Sequence, residues 1–285
     1  MKLIFSRKGF DSASGGAPSP IFPDGGMLSL PIPDRHSNIQ YSEISYGTVN
    51  VGRLVEELTQ KSVPESYYAH LDPDLRRDSL PRDPRWRPIF GQAGAAQGHL
   101  RNQGLAAGDM FLFFGLFRRV ITSGTGYQWD PEALPRHVIW GWLQIGDIMQ
   151  VDSAALEKVP WAEYHPHFRR AFGKNNFLYV SRRFLEWPNP PHGMPGAGVF
   201  ANFNPALQLT SPDARRPSTW RLPPFFMPGP GRRPLSYHNS SSRWRRVNGS
   251  VELDVVSRGQ EFVLDCGEYT EVPLWVSQMF RVARK

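Results

Sequence analysis

Cysteine is almost absent from the 285-residue sequence, since Cys266 is the only one. A single cysteine excludes a disulfide framework within the chain and a cysteine-rich zinc site. No apolar run approaches the roughly 18 residues that a membrane helix needs. The first ten residues have only a short apolar stretch before charges return, which is not the pattern of a secretory signal. We therefore expect a cytoplasmic protein with no membrane partner.

Several common catalytic and nucleotide-binding motifs are also missing. The sequence contains no GxxxxGK[ST] loop, no GxGxxG loop and no GxSxG nucleophile turn. Lysine is scarce, because only six of the 33 basic residues are lysine and the rest are arginine. Arginine is suited to phosphate and guanine, and the net charge of +7 favours a polyanionic partner. A GC-rich genome would also enrich arginine without any such partner.

The sequence is rich in residues that break helices, with 27 prolines and 26 glycines. Hydrophobic residues still make up 40% of the chain, which is enough for a packed core. We expect a single domain over 1–285 with an α+β fold, short helices, long ordered loops and a curved, mostly antiparallel sheet. Strands are predicted at 2–5, 108–121, 136–151 and 175–185, and helices at 50–60 and 93–105.

The second half of the chain is less regular. Residues 186–245 are low in periodicity and rich in Pro, Gly, Ser and Arg, which predicts a long loop or lid. The C-terminal end predicts a strand and then a short helix that packs Leu274, Trp275 and Met279 onto the body.

A polar segment after the first strand is the first candidate site. It contains Ser6, Arg7, Lys8, Asp11 and Ser12, with two glycines following. Cations, hydroxyls and flexible backbone N–H groups after a strand can hold a phosphate or a sugar-phosphate. The alternative is an ordinary polar turn.

The segment HLDPDL is the second candidate, because alternate residues of an extended chain share one face. His70, Asp72 and Asp74 could then converge on a sugar hydroxyl or a metal, although Pro73 breaks the regularity and Asp-Pro-Asp is common in turns. His165 and His167 form an HxH pair that can bind zinc, act in proton transfer, or cap a local turn. No third ligand is evident near that pair, so no metal site is predicted, and the cofactor is unknown.

Aromatic and arginine residues form the third candidate. Phe113, Trp140 and Trp142 are expected mainly in the core, although an aromatic side chain at the end of a barrel could stack on a flipped base. The run Arg243, Trp244, Arg245 and Arg246 has the composition of a nucleic-acid contact, or of a solvated surface loop.

Several blocks together resemble the nucleotide modification-associated domain family, type three. These blocks are SRKGFDSASGGAPSPIFPDG, LSLPIPD, HLDPDL, FGQAGAAQGHL, GDMFLFFGLFR, HVIWGWLQIGDI and RGQEFVLD. The resemblance implies a setting in phages and bacteria beside genes that hypermodify DNA bases, possible partnership with other base-modification enzymes, and no specific mechanism. Carried over by position, the shared polar residues are Ser6, Arg7, Asp11, His70, Asp72, Asp74, Gln92, Gln97 and His99.

The central blocks GDMFLFFG and IWGWLQIGDI are also similar to PUA-like barrels of the ASCH, EVE and YTH type. That resemblance implies a barrel that grips a flipped or modified base in an aromatic pocket. The sheet could therefore be open and curved, or closed into such a barrel.

Three functions follow as hypotheses, all with DNA or a nucleotide as the partner. The first is an enzyme of glycosylase or transferase type that acts on a nucleotide or a DNA base. Its catalytic candidates are Asp11, His70, Asp72, Asp74 and His99, and its substrate-binding candidates are Ser6, Arg7, Lys8, Ser12, Gln92 and Gln97. The second is a PUA-like module that binds modified bases without chemistry. A structural partner in a modification complex, which would need no pocket, is a separate alternative. The third is an NAD-dependent ADP-ribosyltransferase-like enzyme that uses Arg7 and Glu261.

Overall fold

The computed structural model describes residues 1–169, 173, 175–257 and 259–283. The strands of this part of the chain are β1 (Lys2–Arg7), β2 (Ser19–Ile21), β3 (Ile32–Pro33), β4 (Ser45–Tyr46), β5 (Val49–Asn50), β6 (Ala69–His70), β7 (Ile89–Ala93), β8 (Met110–Ser123), β9 (Gly126–Trp129), β10 (Arg136–Gln150), β11 (Asn176–Ser181), β12 (Ala197–Val199), β13 (Thr219–Leu222), β14 (Trp244–Val247), β15 (Ser250–Asp254) and β16 (Glu261–Asp265). The α-helices are α1 (Val51–Leu58), α2 (Gly94–Asn102), α3 (Ser153–Lys158) and α4 (Val272–Ala283). No described helix is both long and apolar enough to cross a membrane.

One large sheet organises the fold, with the strand order β16-β1-β8-β10-β11-β7. Strands β2 and β9 also pair with β8, and β12 pairs with β10. Most neighbours are antiparallel, while β1 and β2 run parallel to β8. The described strands do not close into a barrel, because the strand order ends at β16 on one side and at β7 on the other. The α+β prediction with a curved, mostly antiparallel sheet is confirmed, and the closed PUA-like alternative is not formed.

The two longest strands, β8 and β10, form the centre of this sheet, and they pair antiparallel as predicted. Their register shifts between Ile139 and Gly141, which marks a bulge in β10. Aromatic and β-branched side chains suit such a pleated, buried surface. Phe113, Trp140 and Trp142 are all buried in the main core, as the sequence indicated.

Helix α1 buries the apolar stripe that the sequence predicted, and its N-terminus is capped by Asn50, whose side chain accepts a hydrogen bond from the backbone N–H of Arg53. Helix α2 confirms the second predicted helix. The C-terminal strand and helix also form, but Leu274 is 47% exposed, so its predicted packing onto the body is wrong. Met279 is buried in the main core and Trp275 packs against it, as predicted.

The segment 186–245 differs from the expected long loop. It contributes β12 to the large sheet, and β13 to a separate sheet with the order β13-β15-β14. Its side chains Trp187, Trp220 and Phe226 are buried in the main core. Short elements of this kind have too few residues to show a clear period, so the sequence pattern missed them. A role for this segment as a lid stays a prediction.

A buried histidine at the start of β10 is held in its neutral form. His137 Nδ1 accepts a hydrogen bond from Trp220 Nε1 at 2.9 Å, so this nitrogen carries no proton. Burial, together with the charge of Arg7, lowers the pKa of His137 to about 3. The histidine is therefore part of the packed interior between β10 and β13.

Candidate active site

A cavity of about 350 Å³ opens where the end of β1 meets β6, β7 and the segment before β16. This volume lies within the range of small-molecule sites, about 300–1,000 Å³. Six of the predicted site residues line it, namely Arg7, Lys8, Asp11, His70, Asp72 and Gln92. His167 lines the same cavity from a distant part of the sequence.

The end of β1 supplies two cations to this cavity. Arg7 donates from Nη2 to the carbonyl oxygens of Ser257 at 3.1 Å and Gly259 at 2.9 Å. Burial lowers the pKa of Arg7, against the opposing charges of Asp11 and Glu261. The Nε of Arg7 is buried and has no hydrogen-bond partner among the described residues. Arg7 is therefore held in position and keeps an unused donor.

Lys8 forms an ion pair with Glu261, with 3.0 Å between Nζ and Oε1. The same Oε1 accepts a hydrogen bond from Gln92 Nε2 at 2.5 Å. Glu261 is buried, and its other oxygen, Oε2, has no hydrogen-bond partner in the described structure. Lys8 and Gln92 thus lie between this carboxylate and the cavity that both of them line.

The turn after β1 is shaped by Asp11 and Gly9. Asp11 Oδ1 accepts hydrogen bonds from the backbone N–H groups of Ala13 and Ser14, both at 2.8 Å. Gly9 has a φ of +95°, and a Cβ there would lie 2.6 Å from Ser29 Oγ. The turn therefore has a fixed course that brings Asp11 to the cavity, and one oxygen of this carboxylate is used to hold the turn.

Strand β6 presents His70 to the cavity, and its partner strand β3 leads to Asp34, which orients the imidazole. His70 Nδ1 lies 2.7 Å from Asp34 Oδ2, and His70 Nε2 lies 3.6 Å from Asp72 Oδ2. The other oxygen of Asp72 accepts the backbone N–H of Gly91 at 2.8 Å. His70 is therefore fixed through one ring nitrogen and directs the other toward Asp72.

A 3₁₀ helix at Pro166–Phe168 brings two further imidazoles to Asp72. His167 Nε2 lies 3.5 Å from Asp72 Oδ2, and His165 Nε2 lies 3.3 Å from Asp72 Oδ1. The amide of Asn176 holds His167 at two points, because Oδ1 lies 2.5 Å from its Nδ1 and Nδ2 donates to its carbonyl at 3.0 Å. The contact of His165 does not have hydrogen-bond geometry, so its buried Nε2 has no such partner among the described residues.

Glycine at position 91 makes room for His167. A Cβ at Gly91 would lie 2.3 Å from Cδ2 and 2.7 Å from Nε2 of the His167 ring. Atoms this close overlap, so any side chain at position 91 would displace the ring. The imidazole of His167 therefore packs directly on the backbone of β7.

The cluster strongly biases the ionisation of its members. Burial alone would raise the pKa of Asp72, yet the contacts with His165, His167 and His70 hold it well below its usual value. Burial would lower the pKa of His70, but Asp34 and Asp72 outweigh it and raise that pKa. Burial lowers the pKa of His165. Asp72 is thus an ionised, buried carboxylate surrounded by three imidazoles.

The ligand atoms of His70, Asp72 and His167 all lie within 4.8 Å of one another. Two imidazoles and one carboxylate are a donor set that metal ions accept. From the sequence, His70 and Asp72 belonged to one candidate site and His167 to another. The structure brings these residues together.

Asp74, predicted beside His70 and Asp72, lies outside the cavity. It is fully buried, and its carboxylate pairs with Arg82 at 2.7 Å and accepts a short hydrogen bond from the Tyr164 hydroxyl. Burial raises the pKa of Asp74 to about 6, even though Arg82 opposes the shift. Asp74 therefore does not share a face with His70 and Asp72, because Pro73 breaks the regular alternation. It forms a separate buried ion pair with Arg82 instead.

The remaining predicted substrate contacts are dispersed. Ser6 is buried in β1, and Ser12 is exposed in the turn. Gln97 is buried in α2 and accepts a hydrogen bond from the Tyr179 hydroxyl at 2.8 Å. His99 lines a different cavity of about 450 Å³, with its Nε2 3.0 Å from Ser236 Oγ. None of these four is among the described residues that line the cavity around Asp72.

The predicted nucleic-acid contact forms strand β14 and the residue before it. Trp244 is buried, and its indole donates to the carbonyl of His238 at 2.9 Å, so it is not exposed for base stacking. Arg245 pairs with Asp254 at 2.6 Å, and Arg243 donates to the Asp254 carbonyl. Arg246 is exposed. Only arginines of this run are therefore exposed to a partner, and the tryptophan is part of the core.

Sequence reasoning missed the orienting residues Asp34, Gly91 and Asn176 as parts of this site. Asp34 ends the motif PIPD, and Gly91 lies in the block FGQ, but neither pattern indicates an imidazole partner. His167 was noted only with its neighbour His165. The pairing of β7 with β11 brings Gly91 to Leu178 and Ala93 to Asn176, and no local pattern predicts that contact.

A family model described as nucleotide modification associated domain 3 matches residues 2–265, which is nearly the whole chain. That span includes every residue of the cavity described above. No curated protein and no solved structure matches the chain. The description indicates a role in nucleotide modification. The chain belongs to the nucleotide modification associated domain 3 family.

Proposed function

We propose that this protein is an enzyme that modifies a nucleotide, or a base within nucleic acid, in the cavity around Asp72. One observation supports this most directly. A single cavity contains two cations that suit phosphate and a carboxylate–imidazole group that suits proton transfer or charge stabilisation.

Arg7 and Lys8 are proposed to contact the phosphate of the substrate. Arg7 is anchored by two backbone carbonyls, so its guanidinium is already oriented before a substrate binds. Such preorganisation lowers the entropy lost on binding. The formal net charge of +7 would also attract a polyanionic substrate to this surface.

Asp72 and His70 are proposed to face the reacting part of the substrate. Asp72 stays ionised at neutral pH, so it suits a base, or a group that stabilises positive charge near a sugar, better than an acid. Asp74 and His99, the alternative candidates, lie in a buried ion pair and in a different cavity. The proposal therefore assigns the chemistry to the HLD part of the HLDPDL segment.

The two other hypotheses have less support. A module that only recognises modified bases needs an accessible aromatic pocket, but Phe113, Trp140 and Trp142 are buried in the core. An ADP-ribosyltransferase-like site needs Glu261 near the substrate, yet this buried carboxylate is bound to Lys8 and Gln92 and is not among the described residues lining the cavity.

The test is mass spectrometry of nucleosides, after the purified full chain has been incubated with DNA and, separately, with free nucleotides. We expect a new or missing nucleoside mass with the natural chain and none with Asp72→Asn. Asp213→Asn is the matched control, because Asp213 is an 86% exposed carboxylate paired with Arg221 at the surface. A thermal melt of each variant checks that the fold is intact.

Two results would contradict the proposal. Equal activity of Asp72→Asn and Asp213→Asn would remove Asp72 from the reaction. Tight binding of modified DNA with no change of any nucleoside mass would instead favour the recognition module.

A further inference from the structure

We propose that His70, Asp72 and His167 bind one divalent transition-metal ion. This inference does not depend on the reaction proposed above. The Nε2 atoms of the two histidines lie 3.6 Å and 3.5 Å from the same oxygen, Asp72 Oδ2. Three donor atoms of the kind that bind metals therefore converge from two segments of the chain, residues 70–72 and the turn that contains His167.

The hydrogen-bond partners of Nδ1 in His70 and His167 determine which ring nitrogen of each neutral imidazole carries the proton. His70 Nδ1 faces a carboxylate oxygen of Asp34, so it carries the proton and donates. Asn176 donates from Nδ2 to the His167 carbonyl, which directs its Oδ1 acceptor at His167 Nδ1. His167 Nδ1 therefore also donates. A neutral imidazole that donates from Nδ1 has a bare lone pair on Nε2.

Two imidazole nitrogens and an anionic oxygen thus face one another inside the protein. A cation at the centre contacts all three donor atoms at once and displaces any proton held between Asp72 and an imidazole. A histidine ligand whose second nitrogen donates to a carboxylate or amide oxygen is the usual arrangement at protein metal sites.

His165 supports the site without being a ligand. Its Nδ1 accepts the backbone N–H of His167 at 3.4 Å, which leaves the proton on Nε2, 3.3 Å from Asp72 Oδ1. This oxygen also accepts the N–H of Gly91. Asp72 Oδ1 is therefore held by the backbone of β7 and lies close to His165, and Asp72 Oδ2 is left for the ion.

The donor set indicates the class of metal. Imidazole favours zinc, iron, nickel and other first-row ions over magnesium and calcium, which prefer oxygen ligands. Three protein ligands leave further coordination positions for water or a substrate, as in catalytic rather than structural zinc sites. Since His70, Asp72 and His167 all line the cavity with Arg7 and Lys8, those positions face the space proposed for the substrate.

The experiment is isothermal titration of the chelator-treated full chain with Zn²⁺, Mn²⁺ and Co²⁺, one ion at a time. We expect one ion per chain for at least one metal. Asp72→Asn and His167→Ala should each weaken binding by about 100-fold or more, the upper end of what loss of a mere orienting partner costs. His192→Ala is the matched control, because it removes an exposed imidazole from a surface loop.

A second measurement covers the case in which a ligand variant fails to fold. Asn176→Ala should weaken binding by about 10- to 100-fold, because the His167 ring loses its orientation. Asn176→Asp should restore most of the affinity, since a carboxylate accepts the same Nδ1 proton. Long-range nitrogen NMR should show that the Nε2 signals of His70 and His167 shift when the ion is added, with loss of any proton on these atoms.

Three outcomes would overturn the proposal. The first is that no tested ion binds to the natural chain. The second is that Asp72→Asn and His192→Ala bind the ion equally well. The third is NMR evidence that the Nε2 signals of His70 and His167 are unchanged when the ion is bound, which would place the ion elsewhere. Loss of metal binding and loss of nucleoside modification are measured separately, so either proposal can fail alone.

Discussion

Replacing Gly91 with alanine tests the packing on which the candidate site depends. The added Cβ would lie 2.3 Å from Cδ2 and 2.5 Å from Cγ of the His167 ring. The nearest ordinary contact is about an ångström longer, so the ring, the strand or both must move. His167 is held by Asn176 on one side, and Gly91 is paired with Leu178 within the sheet. Neither neighbour can move without losing hydrogen bonds or strand pairing.

The size of the effect follows from that overlap. Overpacking a tightly packed site by one carbon costs about 1–3 kcal/mol in the free energy of unfolding. For a domain of this size, each kcal/mol shifts Tm by about 2–4 °C. Gly91→Ala is therefore expected to lower Tm by about 2–12 °C. It should also weaken the proposed metal site by about 10- to 100-fold, since a ligand loses its orientation.

Gly98 provides a matched control for the same substitution. It lies within α2, and a Cβ there would meet nothing closer than the Asn175 side chain at 3.9 Å. Alanine favours a helix over glycine by about 0.5–1 kcal/mol, so Gly98→Ala should raise Tm slightly. The assay is a thermal melt of both variants beside the natural chain, followed by a Zn²⁺ titration.

The reasoning predicts opposite signs for two chemically identical changes. If Gly91→Ala melts at or above the temperature of the natural chain, then His167 does not pack on β7 as described. If both variants lose the same stability, the loss arises from the substitution itself rather than from the contact with His167.

Three further predictions concern the interior. Asp74→Ala should lower the free energy of unfolding by about 3–5 kcal/mol, because Arg82 would remain buried without its partner. A denaturation curve that matches that of the natural chain would contradict this. Trp244→Ala should lower the free energy of unfolding by a similar amount, about 3–5 kcal/mol. Arg246→Ala, at an exposed position of the same strand, should change it by no more than about 0.5 kcal/mol. The folded-state pKa of His137 is about 3 and its ordinary value is 6.5, so its contribution to stability is fully present above pH 6.5 and is lost as the pH falls toward 3. His137→Asn should reduce the slope of unfolding free energy against pH in that window by up to about 1.4 kcal/mol per pH unit, and an unchanged slope in urea titrations would count against a neutral His137.

The sequence predicted the centre of the fold well, because its signal is local and strong. Strands β8 and β10 consist of long apolar runs that have few alternatives to a buried sheet. The cavity around Asp72 was predicted in part for the same reason, since Arg7 and Lys8 lie at the end of a clear strand. Short strands such as β12 and β13 carry no comparable period, and tertiary pairing alone defines them.

The residues that complete the site could not be predicted from local patterns. Asp72 and His167 meet because β7 pairs with β11 and because a glycine allows close contact. Asp74 has the same chemistry as Asp72 and lies two residues away, yet it is bound to Arg82. Its role is decided by which side chain happens to face it across the interior, which a single sequence does not reveal.

The position of β1 between β8 and β16 has a consequence for how the protein is made. Residues 2–6 pair with residues 261–265, so β1 is synthesised long before the strand that covers one of its edges. Until then its hydrogen-bonding edge is open, and open edges invite pairing with other chains. A fragment that stops before β16 should therefore be prone to aggregate.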